Sequence, residues 1–154
     1  MMSMVKRVAI GSDHSAYTQK QFLKDYLESL GCSVIDVGCG PGERVDYPDV
    51  ALALCTRVVR GDSDRGIMLD GAGIGSSMAC NKVRGIRAAL CYDLRTVINS
   101  REHNNANVLT LGGGLHGAGE LSEMVRLWLE TPFPGGRHLV RVNKIMAIER
   151  GGYN

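Results

Sequence analysis

The segment 69–82 reads LDGAGIGSSMACNK and places one acidic residue beside three alternating glycines. Asp70 stands at the end of an apolar run, and Gly71, Gly73 and Gly75 follow it. Glycine lets the backbone approach a ligand closely, and successive backbone amides can bind an anion. A carboxylate that faces a reacting carbon atom can act as a general base. Asp70 can equally be a plain helix cap, which is the commoner role of an aspartate at such a junction.

The spacing of this loop distinguishes several kinds of site. It lacks the Gly-Lys-Ser/Thr ending of an ATP-binding loop, and Ser76 stands where the last glycine of a GxGxxG nucleotide motif would be. The loop also follows the third predicted strand, whereas a dinucleotide loop follows the first. A tight turn between strand and helix would need fewer glycines. We therefore favour a ligand-facing loop and keep a nucleotide-binding module as a less favoured alternative.

A second polar cluster, NSREHNNANV, occupies positions 99–108. His103 and Asn104 lie at the predicted end of a helix, just before an apolar strand. A histidine at a helix C-terminus is often only a partner of the helix dipole. The density of asparagines around His103 favours a functional role, because histidine can transfer protons near neutral pH.

A basic stripe follows in GGRHLVRVNKI, positions 135–145. Arg137, Arg141 and Lys144 have the spacing of one helix face. Such a stripe can be an ordinary solvated surface. It can equally hold a phosphate, because the arginine fork binds phosphate in a bidentate manner.

The hydrophobic pattern alternates between strand-like runs and helix-like spacing along the whole chain. It predicts strands at 5–12, 32–38, 65–70, 85–91 and 107–113, and helices at 19–30, 50–59, 74–81, 94–102 and 119–130 with a last one from Gly136 or Arg137. Asp93 is expected to cap the fourth helix. Five strands that alternate with helices predict an α/β fold with one parallel sheet covered on both faces.

In such folds the ligand lies beyond the carboxyl ends of the strands. If the first and third strands are neighbours, Asp13, His14 and Asp70 converge on one crevice.

The bulk composition fits one globular domain over residues 1–154. Apolar residues make up 44% of the chain and charged residues 22%, with a net charge of +2. This charge argues against a nucleic-acid partner. No apolar run approaches the 20 or so residues that span a bilayer, and the start of the chain has no apolar signal region, so we expect no membrane partner. Five cysteines without zinc-site spacing are expected to be reduced thiols in a cytoplasmic protein.

Taken together, the motifs resemble the type B ribose-5-phosphate isomerases, the family that also includes the galactose-6-phosphate isomerase subunits. The resemblance extends over nearly the whole chain, in order and spacing, through GSDHSAY, ERVDYPD, GAGIG with NKVRGIRAAL, SREHNNANVL and GGRHLVRVNKI. It implies a Rossmann-like αβα sandwich with a C-terminal helix. It also implies a homodimer or dimer of dimers with an active site shared between subunits. The implied enzyme uses no metal or organic cofactor and interconverts aldose and ketose sugar phosphates through a cis-enediolate.

The resemblance also implies roles for individual residues. Asp13, His14 and Tyr47 would contact the sugar phosphate, together with Gly73, Ile74 and Ser76. The backbone amides from Gly71 to Gly75 would stabilise the enediolate, as an oxyanion hole does. His103 would assist ring opening, Asn104 would hydrogen-bond the reacting oxygens, and Arg137 and Arg141 would hold the phosphate.

Three departures from the family pattern involve four positions. Asp70 stands where one branch has a cysteine base, and Ser76 stands where another branch has a glutamate base. We therefore expect Asp70 to be the base. Ala72 replaces a threonine or serine of the loop, and Gly114 replaces an arginine. The expected substrate is ribose 5-phosphate; a four- or six-carbon sugar phosphate, or a non-catalytic sugar-phosphate binding subunit, remains an alternative.

Overall fold

A parallel five-stranded sheet forms the centre of the protein in the computed structural model, which describes residues 5–152. The strands are β1 (Arg7–Ser12), β2 (Ser33–Asp36), β3 (Arg65–Asp70), β4 (Ala88–Leu90) and β5 (Val108–Gly112), and their order in the sheet is β2-β1-β3-β5-β4. All four neighbouring pairs are parallel. The predicted α/β architecture is therefore confirmed.

Helices cover both faces of this sheet. They are α1 (Tyr17–Ser29), α2 (Tyr47–Val59), α3 (Ile74–Cys80), α4 (Leu94–Glu102), α5 (Ala118–Glu130) and α6 (Arg137–Glu149). Two apolar clusters separate these layers. One cluster includes Leu23, Leu111 and Trp128, and the other includes Leu54 and Met68. Both faces of β3 and β5 are therefore buried, which explains their continuous apolar sequences.

The bounds of the elements differ from the prediction where side chains take over backbone hydrogen bonds. Asp13 accepts from the amide of Ser15 at 3.0 Å and starts a short 3₁₀ turn, His14–Ala16, before α1. β4 is shorter than predicted, since the amide of Arg87 donates to the side chain of Asn107 at 2.7 Å instead of to a strand. The predicted Asp93 cap of α4 is confirmed, with Oδ1 accepting from the Thr96 amide at 2.7 Å.

The last helix, α6, packs only lightly on the rest of the chain. Val142 is its one buried residue in the described part of the molecule. Glu149 accepts from the amide of Gly85 at 3.0 and 3.1 Å and attaches the end of α6 beside the start of β4. Large apolar side chains of α6 remain exposed, namely Leu139, Val140, Ile145 and Ile148.

The five cysteines are all buried free thiols, as the composition predicted. Within residues 5–152, none of the helices combines the length and apolar character that crossing a bilayer requires.

Candidate active site

The carboxyl edge of the sheet brings together the residues that follow β1 and β3. These strands are neighbours, and Ser12 pairs with Leu69 in the register. Asp13 and Asp70 therefore leave the sheet side by side, and the Asp13 amide donates to the Leu69 carbonyl at 3.2 Å. The predicted convergence of Asp13, His14 and Asp70 required β1 and β3 to be neighbours, and the structure confirms that they are.

Asp70 is almost fully buried, and its carboxylate binds the backbone of its own loop. Oδ1 accepts from the amide of Gly73, and Oδ2 accepts from the amide of Ser76 at 3.2 Å. These contacts fix the carboxylate against the start of α3. The sequence left open whether Asp70 is a helix cap or a general base. These two hydrogen bonds are of the capping kind, and the role of Asp70 as a base stays a prediction. The amide of Gly73 is occupied by Asp70, which leaves the other loop amides as the candidate donors to an enediolate.

Close packing explains two of the glycines in this loop. Gly73 has φ +79°, and a Cβ atom there would lie 2.9 Å from the carbonyl carbon of Leu111. At Gly75 a Cβ atom would overlap the ring of Tyr47. Tyr47, the first residue of α2, therefore packs directly on the loop, and its contact with a sugar stays a prediction.

The predicted substrate contacts in the loop differ in exposure. Ile74 is half exposed, whereas Ser76 is fully buried and its hydroxyl has no hydrogen-bond partner in the described structure. Two of the departures from the family pattern, Ala72 and Gly114, lie nearby. Ala72 offers no hydroxyl, and the amide of Gly114 donates to the Gly71 carbonyl at 3.2 Å. An arginine at position 114 would thus start beside the glycine loop, and this chain has no side chain there.

Asp13 and His14 are fixed by different neighbours. Asp13 Oδ1 accepts from the Ser15 hydroxyl at 2.6 Å. His14 Nδ1 lies 3.2 Å from the Val45 carbonyl oxygen and 3.3 Å from the Val45 nitrogen. His14 and Val45 also line a cleft of about 540 Å³. We call Asp13, His14, Tyr47, Asp70 and the loop 71–76 the carboxyl-edge group.

A second group forms where α4 ends. His103 Nδ1 lies 3.0 Å from the Asn99 side-chain nitrogen, and the Asn104 side chain donates to Asn99 Oδ1 at 3.3 Å. The His103 ring stacks on the ring of His138 in α6, with centroids 4.1 Å apart and planes 13° from parallel. His103 and Asn104 are thus joined through Asn99, and α6 begins beside them.

The start of α6 concentrates positive charge in this second group. Burial, together with the nearby His103, Arg137 and Arg141, lowers the pKa of His138 below its ordinary value. Arg137 and Arg141 are exposed, one turn apart on the helix. An exposed pair of guanidinium groups beside a neutral imidazole suits a phosphate. We call His103, Asn104, Arg137 and Arg141 the amino-edge group.

The two groups lie at opposite edges of the sheet. A helix that connects parallel strands runs back against them, so α4 starts at the carboxyl edge and ends at the amino edge. His103 caps the end of α4, whereas Asp70 ends β3. The separation is comparable with the length of a six-residue strand, about 20 Å. One chain therefore does not bring the two groups to one substrate.

Sequence reasoning missed several residues that build these groups. Ser15 holds Asp13, Asn99 joins His103 to Asn104, and His138 stacks on His103. His138 and Asn99 stand inside the motifs that indicated function. Their type and position were a usable signal, but their contacts depend on helices that meet only in the fold.

Comparisons with known proteins give the family of this chain. The family model described as ribose/galactose isomerase matches residues 8–145. The chain belongs to the ribose/galactose isomerase family. It is 41% identical to the ribose-5-phosphate isomerase B of Escherichia coli over 95% of this chain and 98% of that one. It is also 41% identical to a D-erythrulose-4-phosphate isomerase of Pectobacterium atrosepticum, over 90% and 91% of the two chains.

A solved ribose/galactose isomerase structure gives the same result for the fold. The ribose-5-phosphate isomerase B of Clostridium thermocellum superposes with a TM-score of 0.92 at 46% identity, over 94% of this chain and 98% of that one. The predicted family, the Rossmann-like fold and the enzyme class, a sugar-phosphate isomerase that interconverts aldose and ketose, are confirmed.

Proposed function

We propose that the protein converts ribose 5-phosphate to ribulose 5-phosphate through a cis-enediolate, with Asp70 as the base. The observation that carries this proposal is the meeting of Asp70 with the glycine loop at the carboxyl edge, next to Asp13 and His14. The Escherichia coli relative is named for ribose 5-phosphate, which makes that sugar the first substrate to test.

The chemistry needs one proton to move between adjacent carbons. Asp70 takes the C2 proton of the aldose, and the electron pair moves to the C1 oxygen to give the enediolate. Free amides of the glycine loop stabilise the negative oxygen. The proton then returns from Asp70 to C1. The proton of the C2 hydroxyl passes to the C1 oxygen, which leaves a carbonyl at C2 and a hydroxyl at C1. Asp70 accepts two hydrogen bonds from backbone amides, and these leave a lone pair on each carboxylate oxygen for the proton transfer.

A complete site requires two copies of the chain. The carboxyl-edge group of one copy supplies the base, and the amino-edge group of a second copy supplies His103 for ring opening and the arginines for the phosphate. The opposite positions of the two groups in one chain support this arrangement. So do the exposed apolar residues beside each group, such as Ile74 and Met78 on α3 and Val140 and Ile148 on α6.

The number of carbon atoms in the sugar is the most specific part of the proposal. The equal identity to the erythrulose-4-phosphate isomerase makes a four-carbon substrate a specific second candidate. The missing side chains at Ala72 and Gly114 also favour a changed pocket. A non-catalytic sugar-phosphate binding subunit is the third candidate, because the Asp70 carboxylate already has two cap interactions.

Proton NMR of the protein with ribose 5-phosphate in heavy water tests the proposal. We expect loss of the C2 proton signal together with formation of ribulose 5-phosphate. Asp70→Asn should abolish both and keep phosphate binding, whereas Asp70→Cys should keep measurable turnover, since a thiolate can serve as the base. Asp25→Asn, an exposed aspartate on α1, is the control.

Each other outcome has a defined meaning. Turnover that survives in Asp70→Asn would exclude Asp70 as the base. Exchange with a four- or six-carbon sugar phosphate, and none with ribose 5-phosphate, would change the substrate and keep the mechanism. Binding of sugar phosphates without exchange of any of them would indicate a binding subunit.

A further inference from the structure

Arg101 holds the loop 103–107, which carries His103 and Asn104. Both the arginine and the loop belong to the motif at positions 99–108. Arg101 donates through Nη1 to the Ala106 carbonyl at 2.6 Å and to Asn105 Oδ1 at 2.9 Å. Its Nε donates to the carbonyl of Thr131 at 3.2 Å. Thr131 begins the segment that leads from α5 to α6. One guanidinium group therefore joins the two segments that form the amino-edge group.

A second arginine, Arg87, holds the same loop from the position just before β4. Arg87 donates through Nε and Nη2 to the Asn105 carbonyl at 3.1 and 2.9 Å. Asn107 completes this arrangement, since its side chain accepts from the Arg87 amide at 2.7 Å and donates to the Gly85 carbonyl at 2.9 Å. Both the carbonyl and the side chain of Asn105 are thus bound by arginines.

The backbone of this loop has a conformation that needs such support. Asn105 has φ 47°, and it is the only non-glycine residue between 5 and 152 with a positive φ. Side chains rarely adopt this left-handed region, although asparagine tolerates it better than most. The bonds from Arg87 and Arg101 therefore stabilise a local shape that the sequence of the loop disfavours.

Among the described residues, neither arginine has a carboxylate at ion-pair distance, although the charge of Glu149 opposes the lowering of the Arg87 pKa by burial. Arg101 is 5% exposed. Burial, and then the nearby charge of Arg87, lowers the pKa of Arg101 to about 10, so it remains protonated at neutral pH. A buried charge without an ion-pair partner costs desolvation free energy, so Arg101 is not placed there to stabilise the fold through its charge. The loop is held by the directions of the hydrogen bonds that Arg101 donates.

We propose that Arg101, assisted by Arg87, is the positioning residue that sets His103 and Asn104 relative to the phosphate-binding arginines of α6. The inference rests on the proposed function, because it assigns a role in the shared site. Only a planar fork reaches the Ala106 and Thr131 carbonyls and Asn105 in these directions, so lysine is not an adequate replacement.

Steady-state kinetics give the first test. Arg101→Lys and Arg101→Gln should lower kcat about tenfold to a hundredfold, the effect expected when a catalytic group is misplaced by about 1 Å. The His103 and His138 ring signals in NMR spectra should shift as the stack loosens. Arg57→Gln, an exposed arginine on α2, is the control and should keep both. A wild-type kcat in either Arg101 variant, or unchanged ring signals, would overturn the proposal.

Mixed dimers separate a positioning role from a general folding defect. Arg101→Gln damages only the amino-edge group, and Asp70→Asn damages only the carboxyl-edge group. A 1:1 mixture should therefore regain about a quarter of wild-type activity, because half of the dimers are mixed and each holds one intact site. Where Arg101→Gln is not recovered as a folded protein, Arg101→Lys takes its place.

A parallel mixture of Asp70→Asn with His103→Gln tests the shared site without Arg101. If it recovers activity and the Arg101 mixture does not, the positioning role is wrong and the shared site stands. If neither mixture recovers, the shared site fails and the inference fails with it. Recovery in both mixtures supports the inference.

Discussion

Arg141 shows what a single residue of the amino-edge group is expected to contribute. It is exposed on α6 one turn after Arg137 and forms no ion pair in the described part of the chain. A guanidinium group in this setting is free to bind a phosphate in a bidentate manner. Its contribution should therefore appear in substrate binding and leave the proton transfer at Asp70 unaffected.

Substituting Arg141 tests this contribution. Arg141→Ala should weaken binding by about 2 kcal/mol or more, because truncating one member of a desolvated charge pair costs that much. Such a loss corresponds to a rise in KM of roughly 25-fold. Kinetics with ribose 5-phosphate measure it, and Arg150→Ala at the end of α6 is the control. An unchanged KM would remove Arg141 from the phosphate site.

The pKa of His138 is a second test at this scale. Burial, the stacked His103 ring and the charges of Arg137 and Arg141 all favour the neutral imidazole. An NMR titration of the free protein should therefore give a pKa below the ordinary histidine value. His103→Gln should raise it again by removing one of these causes. A His138 pKa at or above the ordinary value would contradict the stacked arrangement.

At the scale of elements, the strand-to-helix junction from β3 to α3 depends on Gly73. Its left-handed φ and its contact with the backbone of β5 leave no room for a side chain. The Thr110 hydroxyl also donates to the Gly73 carbonyl at 3.0 Å, which ties the loop to β5. The junction therefore fixes the loop amides and Asp70 together.

A pair of glycine variants measures this dependence. Gly73→Ala should lower the free energy of unfolding by about 1–3 kcal/mol, the usual cost of a strained backbone position, and should reduce activity. Gly119→Ala in the first turn of α5 meets nothing within 4 Å and should raise stability by about 0.5–1 kcal/mol. Thermal unfolding compares them. Equal effects of the two substitutions would show that the loop tolerates a side chain.

At the scale of the whole molecule, function is expected to depend on assembly. Val140 and Ile148 are more than half exposed at 57% and 63%, on the side of α6 that also carries Arg141 and Lys144. Exposed apolar residues that follow a basic stripe in this way mark an interaction surface. We expect a second copy of the chain to cover them.

A charge on this surface tests the assembly. Val140→Glu should yield monomers in analytical ultracentrifugation and should abolish turnover, since each monomer keeps only half of the site. Phe22→Glu on α1, 40% exposed, should leave both properties unchanged. A monomeric Val140→Glu variant with full activity would show that one chain suffices.

Local sequence patterns predict much of this structure. Strand and helix periodicity predicted the five strands, the six α-helices and the parallel sheet of residues 5–152, because buried parallel strands and amphipathic helices have distinct spacings. It missed the short 3₁₀ turn at His14–Ala16. The motifs around Asp70, His103 and Arg137 indicated a candidate site. Each motif alone has a common structural use, and only their order and spacing together resemble the family. Family membership follows from these motifs read in order.

Other features were decided only by the tertiary structure. The two amides that bind Asp70 belong to a loop whose path depends on β5, and the contacts of Arg101 join segments 30 positions apart in the chain. The placement of Asp70 and His103 at opposite edges depends on the direction of α4 against the sheet. Local patterns carry no information on such distances, because these arise when elements pack. The sequence by itself therefore determined the elements and the family, and the fold decided which groups can meet in one chain.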